Sequence, residues 1–226
     1  MHILTDHIAF PHPSQAEEDG LLAIGGDLRP ERLILAYHSG IFPWFNEGEM
    51  ALWWSPDPRM VVKPQEVHAS KSMRKVVRDG LFKVTYNQRF LEVILACKRI
   101  KREGQNDTWI TNAMIAAYLT LHEMGHAMSV EVWQEDQLVG GLYGIDLKEK
   151  GVFCGESMFS TVSNASKVGF ITLSRKLTKE NYRLIDCQMY TDHLASLGAA
   201  EIPRETFLTY LSPIPKSLPP EGEGTV

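Results

Sequence analysis

Between about residues 61 and 211 the chain switches repeatedly between two hydrophobic periods, and this alternation restricts the possible folds more than any other feature. RFLEVILACKRIKR, TNAMIAAYLTLHEMG and SKVGFITLSRKLTK carry apolar residues at helical spacing, and a further helix is predicted to start between His68 and Ser72. LFKVTYN, GVFCGESMFS and YRLIDCQMY read as strands, and AMSVEVWQEDQLVGGLYGID as a hairpin turning at Glu135 and Asp136. Helices interleaved with antiparallel strands bury their apolar faces most simply on one central sheet, which predicts an α+β fold. The opening sixty residues differ. They are dense in Gly, Pro and aromatics, with one helix started by Asp27 and Pro30, striped by Leu33, Ile34 and Tyr37, and ended by Gly40. The pattern predicts a small loop-rich domain over residues 1–60 and a larger one over 61–212. Residues 213–226 hold four prolines and little to bury, so they read as a loose tail.

Composition removes whole classes. The chain of 226 residues has no apolar run near the roughly 18 residues that span a bilayer, and MHILTDHIAFPHP lacks the build of a signal peptide. Cys97, Cys154 and Cys187 are odd in number and form no CxxC pair. They read as buried thiols in a reducing cytoplasm rather than as a disulfide frame. A net charge of −5 opposes general nucleic-acid binding but permits one local basic patch.

Four constellations could carry chemistry. His122, Glu123 and His126 form a nominal HExxH, which in a zinc protease needs both histidines on one continuing helix. Gly125 predicts that the helix stops before His126, so the two imidazoles should diverge. Lys71, Arg74, Lys75 and Arg78 fall on one helical face; this is either a solvated surface or a contact for a phosphate backbone. A second basic run, Lys98, Arg99, Lys101 and Arg102, suits a helix C-terminus. Loop tryptophans such as Trp44, Trp53, Trp54 and Trp109 more often anchor packing, although a pair can sandwich a nucleobase. Asp186 and Gln188 lie two apart on a strand that otherwise reads as buried, and Glu156 sits among apolar neighbours. Each is expensive to bury without partners, so each belongs to a structural network or to an active site.

The segments FPWF, LWWSPDPR, TWIT, HEMGHAMSVEVW, LVGGLYG, FCGESMFS, NASK, LIDCQ and DHLASLGA occur in this order over residues 8–210. Together they make the chain resemble the leucyl/phenylalanyl-tRNA–protein transferases of bacteria. The resemblance implies a small N-terminal domain followed by a domain like the GNAT (acyl-CoA N-acyltransferase) enzymes. It implies a cytoplasmic, monomeric enzyme that needs no cofactor, CoA or metal. The implied partners are Leu-tRNA, Phe-tRNA and proteins with N-terminal Lys or Arg, which gain an N-end-rule degradation signal; Met transfers less well. Rival expectations are a zinc protease, a non-catalytic RNA-binding module and a CoA-dependent acetyltransferase.

Residue by residue, the resemblance implies that Trp44 and Trp109 flank the tRNA's terminal adenosine. Lys71, Arg74, Lys75 and Arg78 would meet the acceptor stem. Gln188 and Asp186 match the catalytic pair and Glu156 the active-site carboxylate. On this reading Asp186 holds the Gln188 side chain, and Glu156 either takes the proton or pairs with the cationic acceptor residue. Leu142, Phe153, Met158, Phe170, Leu173 and Ile185 match the side-chain pocket. Leu142 and Leu173 stand where the family pattern has Met and Phe, which bears on the choice between Leu and Phe.

Overall fold

Pro30 presets the first helical φ and Glu31 faces the positive helix end, so the chain enters α1 (Pro30–His38) with Leu33, Ala36 and Tyr37 turned inward. Gly40 closes it at φ +77°, and a Cβ there would lie 2.6 Å from Leu208. The computed structural model describes residues 2–100 and 108–212; Lys101, Arg102 and the tail over 213–226 lie outside the described residues. Around α1, β1 (His2–Leu4), β2 (Leu21–Gly25), β3 (Phe42–Pro43) and β4 (Leu52–Trp54) form a sheet in the order β1-β2-β4-β3. The fully buried Trp53 ties it together, its indole N–H donating to the Gly25 carbonyl at 2.8 Å.

The second sheet contains β5 (Arg59–Val62), β6 (Lys83–Tyr86), β7 (Ala127–Gln134), β8 (Gln137–Leu147), β9 (Val152–Ser160), β10 (Leu184–Gln188) and β11 (Ala200–Ile202). Its order is β11-β5-β10-β9-β8-β7-β6. Helices α2 (Lys71–Arg78), α3 (Phe90–Arg99), α4 (Asn112–Glu123), α5 (Ala165–Lys179), α6 (Asp192–Ser196) and α7 (Arg204–Leu211) complete an α+β fold. One core cluster joins α1, α3 and α4 to the sheet through Tyr37, Val93, Tyr118 and Tyr143; the other places α5 against Val130, Leu142, Phe153 and Ile185. Leu142 and Tyr143 therefore face opposite layers, as the pleat requires.

Gly125 adopts φ +82° directly after α4, and the His126 N–H returns to the Leu121 carbonyl. His122 instead stacks on Phe90 at 4.3 Å, and its Nδ1 lies 2.9 Å from the Ala127 carbonyl oxygen. The nominal HExxH is a helix end. Cys97 and Cys154 are buried as expected, but Cys187 is only half-buried because it borders a pocket. Among the described residues, no helix is long and apolar enough to cross a membrane.

One irregularity in the second sheet creates room for a site. All its strand pairs are antiparallel except β9 and β10, whose parallel ladder ends at Cys154 and Asp186. Beyond that point β9 continues beside β8 as far as Ser160. β10 breaks register between Asp186 and Gln188, and Gln188 adopts φ +65°. The two strands stop pairing where Glu156 and Gln188 project.

Candidate active site

Because the ladder ends there, a pocket of about 350 Å³ opens at this point, within the size range of small-molecule sites. Leu142, Phe153, Met158, Phe170 and Ile185 give it apolar walls, and Trp44 and Trp109 both border it. The loop after β3 supplies Trp44 and the turn before α4 supplies Trp109, so segments distant in sequence join the walls from β8, β9, α5 and β10. Trp54 steadies the first of them. Its indole N–H donates to the Trp44 carbonyl at 2.7 Å, and the two ring systems lie 5.7 Å apart.

Leu173 is not in the wall. One turn after Phe170 on α5, it is fully buried in the core, because its side chain points into the layer between α5 and the sheet. Phe170 and Leu173 share a helix face, but one turn along the axis carries Leu173 past the pocket and into the core.

Polar groups gather on the wall that carries Glu156 and Gln188. The Gln188 side-chain amide donates to Glu156 Oε1 at 2.8 Å, and the Tyr118 hydroxyl donates to Glu156 Oε2 at 2.9 Å. Tyr118 in turn meets the Tyr37 hydroxyl from α1. Both carboxylate oxygens are thus occupied, and Glu156 is 8% exposed. Burial pushes its pKa up to about 7, with the Tyr37 and Tyr118 hydroxyls and the Gln188 amide holding it below where burial alone would leave it.

Asp186 occupies a different setting from the one the spacing suggests. Its carboxylate forms a two-pronged ion pair with Arg59, Nε–Oδ1 2.8 Å and Nη2–Oδ2 2.7 Å, at 1% exposure on each side chain. It holds Gln188 by the main chain, the Gln188 N–H donating to Asp186 Oδ1 at 2.9 Å. The broken register and the left-handed φ at Gln188 turn the side-chain amide away from Asp186 and toward Glu156. Asp186 does not line the pocket. Arg59 is itself enclosed, lying 4.9 Å from the Phe42 ring and 4.6 Å from the Phe207 ring and donating to the Gly40 carbonyl. It ties the N-terminal segment, β10 and α7 to one cation.

Sequence reasoning passed over Arg59, and over Tyr118 and Tyr37 as polar groups. Arg59 left one usable trace: a cation directly before the apolar run MVV of a strand requires a buried partner. The tyrosines left none, since a hydroxyl on an apolar helix face does not announce its partner. His193 on α6 also borders the pocket; burial lowers its pKa, and nearby Lys167 adds to this.

On α2, Lys71, Arg74, Lys75 and Arg78 are all exposed while Met73 is buried beneath them. Arg74 also borders an open cleft shared with exposed Arg175 and Lys179 of α5, so the basic surface extends past one helix. At the end of α3, Lys98 bonds Asn112 at 2.8 Å.

Comparison with known proteins gives these features a context. A family model described as "Leucyl/phenylalanyl-tRNA protein transferase" matches residues 61–212, and the model of that family's N-terminal domain matches residues 26–57. A protein of Flavobacterium johnsoniae named leucyl/phenylalanyl-tRNA–protein transferase is 64% identical, over 93% of this chain and 99% of its own. One of the same name from Pseudomonas syringae pv. syringae is 57% identical, over 90% of this chain and 88% of its own. Among solved structures, an aminoglycoside acetyltransferase from an uncultured soil sample aligns with a TM-score of 0.40 at 12% identity, covering 66% of this chain and 98% of that one.

Proposed function

The chain belongs to the leucyl/phenylalanyl-tRNA–protein transferase family, and from that premise we propose that it moves Leu or Phe, and Met less well, from aminoacyl-tRNA to the α-amino group of proteins beginning with Lys or Arg. The product carries an N-terminal degradation signal. The observation that supports this reading best is the apolar pocket flanked by two tryptophans, with an oriented amide in its wall.

An aminoacyl ester is already activated, so the reaction needs alignment and proton management rather than a covalent intermediate or a cofactor. The terminal adenosine stacks between Trp44 and Trp109, and the aminoacyl side chain enters the walls formed by Leu142, Phe153, Met158, Phe170 and Ile185. The acceptor amine attacks the ester carbonyl carbon; a C–N bond forms, the bond to the ribose oxygen breaks, and that oxygen leaves with a proton from the amine. Gln188 Nε2 is held on Glu156, so its Oε1, which has no hydrogen-bond partner among the described residues, accepts from the amine N–H and aims the lone pair. Asp186 acts at one remove, fixing the Gln188 main chain. With both oxygens of Glu156 already bonded, we assign it to holding Gln188 rather than to pairing with the acceptor's cationic side chain. The acceptor stem lies on the basic face of α2, where phosphate charge matters and base identity does not. An apolar pocket separates side chains by only about 1–3 kcal/mol per methylene, which accounts for the leakage to Met.

The direct test is transfer of labelled leucine from Leu-tRNA to a protein starting with Arg, beside one starting with Ala. Label on the Arg protein alone is the expected result. No label on either, with charged tRNA and folded enzyme, would overturn the reading in favour of an RNA-binding module. Within it, Trp109→Ala is expected to weaken binding of an aminoacyl-adenosine analogue by about 1–3 kcal/mol. Trp109 is the cleaner choice, because the Trp44 ring also packs against the Trp54 ring. Unchanged affinity would make Trp109 a packing anchor only.

A further inference from the structure

The buried wall behind Gln188 contains two tyrosines that the proposed reaction has not used. We propose that Tyr118 and Tyr37 are positioning residues which hold Glu156 in its acceptor state and so determine which end of the Gln188 amide faces the reactants. The proposal rests on the reading above, in which Gln188 Oε1 aligns the attacking amine.

Matching donors to acceptors gives the chain a direction. The Tyr118 hydroxyl donates its single proton to Glu156 Oε2, so at the Tyr37–Tyr118 contact Tyr37 must be the donor. Gln188 Nε2 donates to Glu156 Oε1 from the other side. An ionised carboxylate only accepts, so with Glu156 charged the amide must turn its N–H inward and its oxygen toward the pocket. If Glu156 gains a proton, Tyr118 already occupies Oε2, and the proton settles on Oε1, against Gln188. The amide then turns over to accept it and presents N–H to the substrate, where an attacking amine needs an acceptor. Protonation of one buried group therefore exchanges a productive wall for an obstructive one.

The groups around Glu156 come from every element packed on it. Asp186 on β10 opposes its ionisation, and Arg59 on β5 is committed to Asp186. Cys154 precedes it on β9, Tyr118 and Tyr37 reach it from α4 and α1, Tyr143 of β8 packs edge-on against Tyr118, and His193 of α6 borders the same pocket. Of these, Tyr118 and Gln188 hydrogen-bond it directly, and Tyr37 acts through Tyr118. Burial has raised Glu156 to about 7, close enough to neutrality for the loss of one donor to matter.

The test compares Tyr118→Phe with the unsubstituted protein, measuring kcat/KM for one Arg-starting acceptor from pH 6 to 9. The acceptor amine also titrates in this range, at about 7.7–8.0. It is the same in both proteins and cancels in their ratio. Removing a donor to the charged form raises the pKa of Glu156 by about one unit. The variant-to-parent ratio is therefore expected to be about tenfold lower at pH 6 than at pH 9. Tyr37→Phe should move it the same way by less, and it carries the test if Tyr118→Phe does not fold. Placing Tyr118→Phe in a Glu156→Gln background should abolish the pH dependence of its effect. A ratio that is flat with pH in both tyrosine variants, or a slope that survives in the Glu156→Gln background, overturns the proposal and leaves the tyrosines as packing. No transfer by the unsubstituted protein at any pH would instead overturn the functional reading itself.

Discussion

Gln188→Ala lowers turnover by about 10²-fold or more while leaving aminoacyl-tRNA affinity nearly unchanged, since misplacing one reacting group by about 1 Å has a cost of that order. The side chain borders the pocket without belonging to either tryptophan wall or to the basic face of α2, so its loss removes alignment and little else. The variant also strips Glu156 Oε1 of its donor in a site only 8% exposed. This favours the protonated carboxyl and deepens the defect below neutral pH. Single-turnover transfer from bound Leu-tRNA, together with an equilibrium binding measurement, separates the two quantities. Parental turnover in the variant would remove Gln188 from the mechanism, and a matching loss of tRNA binding would make it a recognition residue.

Arg59→Met is expected to have the largest effect on stability. It leaves Asp186 charged, fully buried and without its ion-pair partner, a situation that costs about 3–5 kcal/mol. The expectation sharpens with Asp186→Leu added. Replacing both members of a buried ion pair with apolar residues is often neutral, so the double variant should regain most of the lost stability in urea denaturation. Its turnover should remain low, because the Gln188 N–H loses the acceptor that supports its left-handed backbone at φ +65°. Stability and activity would then part company in one molecule. A double variant with parental turnover would show that the hold of Asp186 on Gln188 is dispensable.

The order of helices and strands could be read along the chain because each segment carries its own period: the stripe on α1, the hairpin turning at Glu135 and the helix end at Gly125 all depend on residues a few positions apart. The exposed cations of α2 were visible for the same reason, as four residues on one helical face. The resemblance in short segments added the family, and with it the residues to look for. Polar residues in apolar strands also marked Glu156, Asp186 and Gln188 as needing partners, since burial without them is too costly.

Which partners they found was a matter for the tertiary structure. Arg59 and Asp186 are 127 residues apart, and Tyr37 and Tyr118 are 81 apart. Nothing local encodes such a pairing; it follows from strand register and from how α1 and α4 pack. The same holds for Asp186, which shares a face with Gln188 in an ideal strand but not across a broken register, and for Leu173, which is as apolar as Phe170 yet packs behind it. Periodicity shows that a side chain is buried because water and core differ over the whole face of an element. Its particular neighbour depends on contacts between distant segments, and those exist only once the chain has folded.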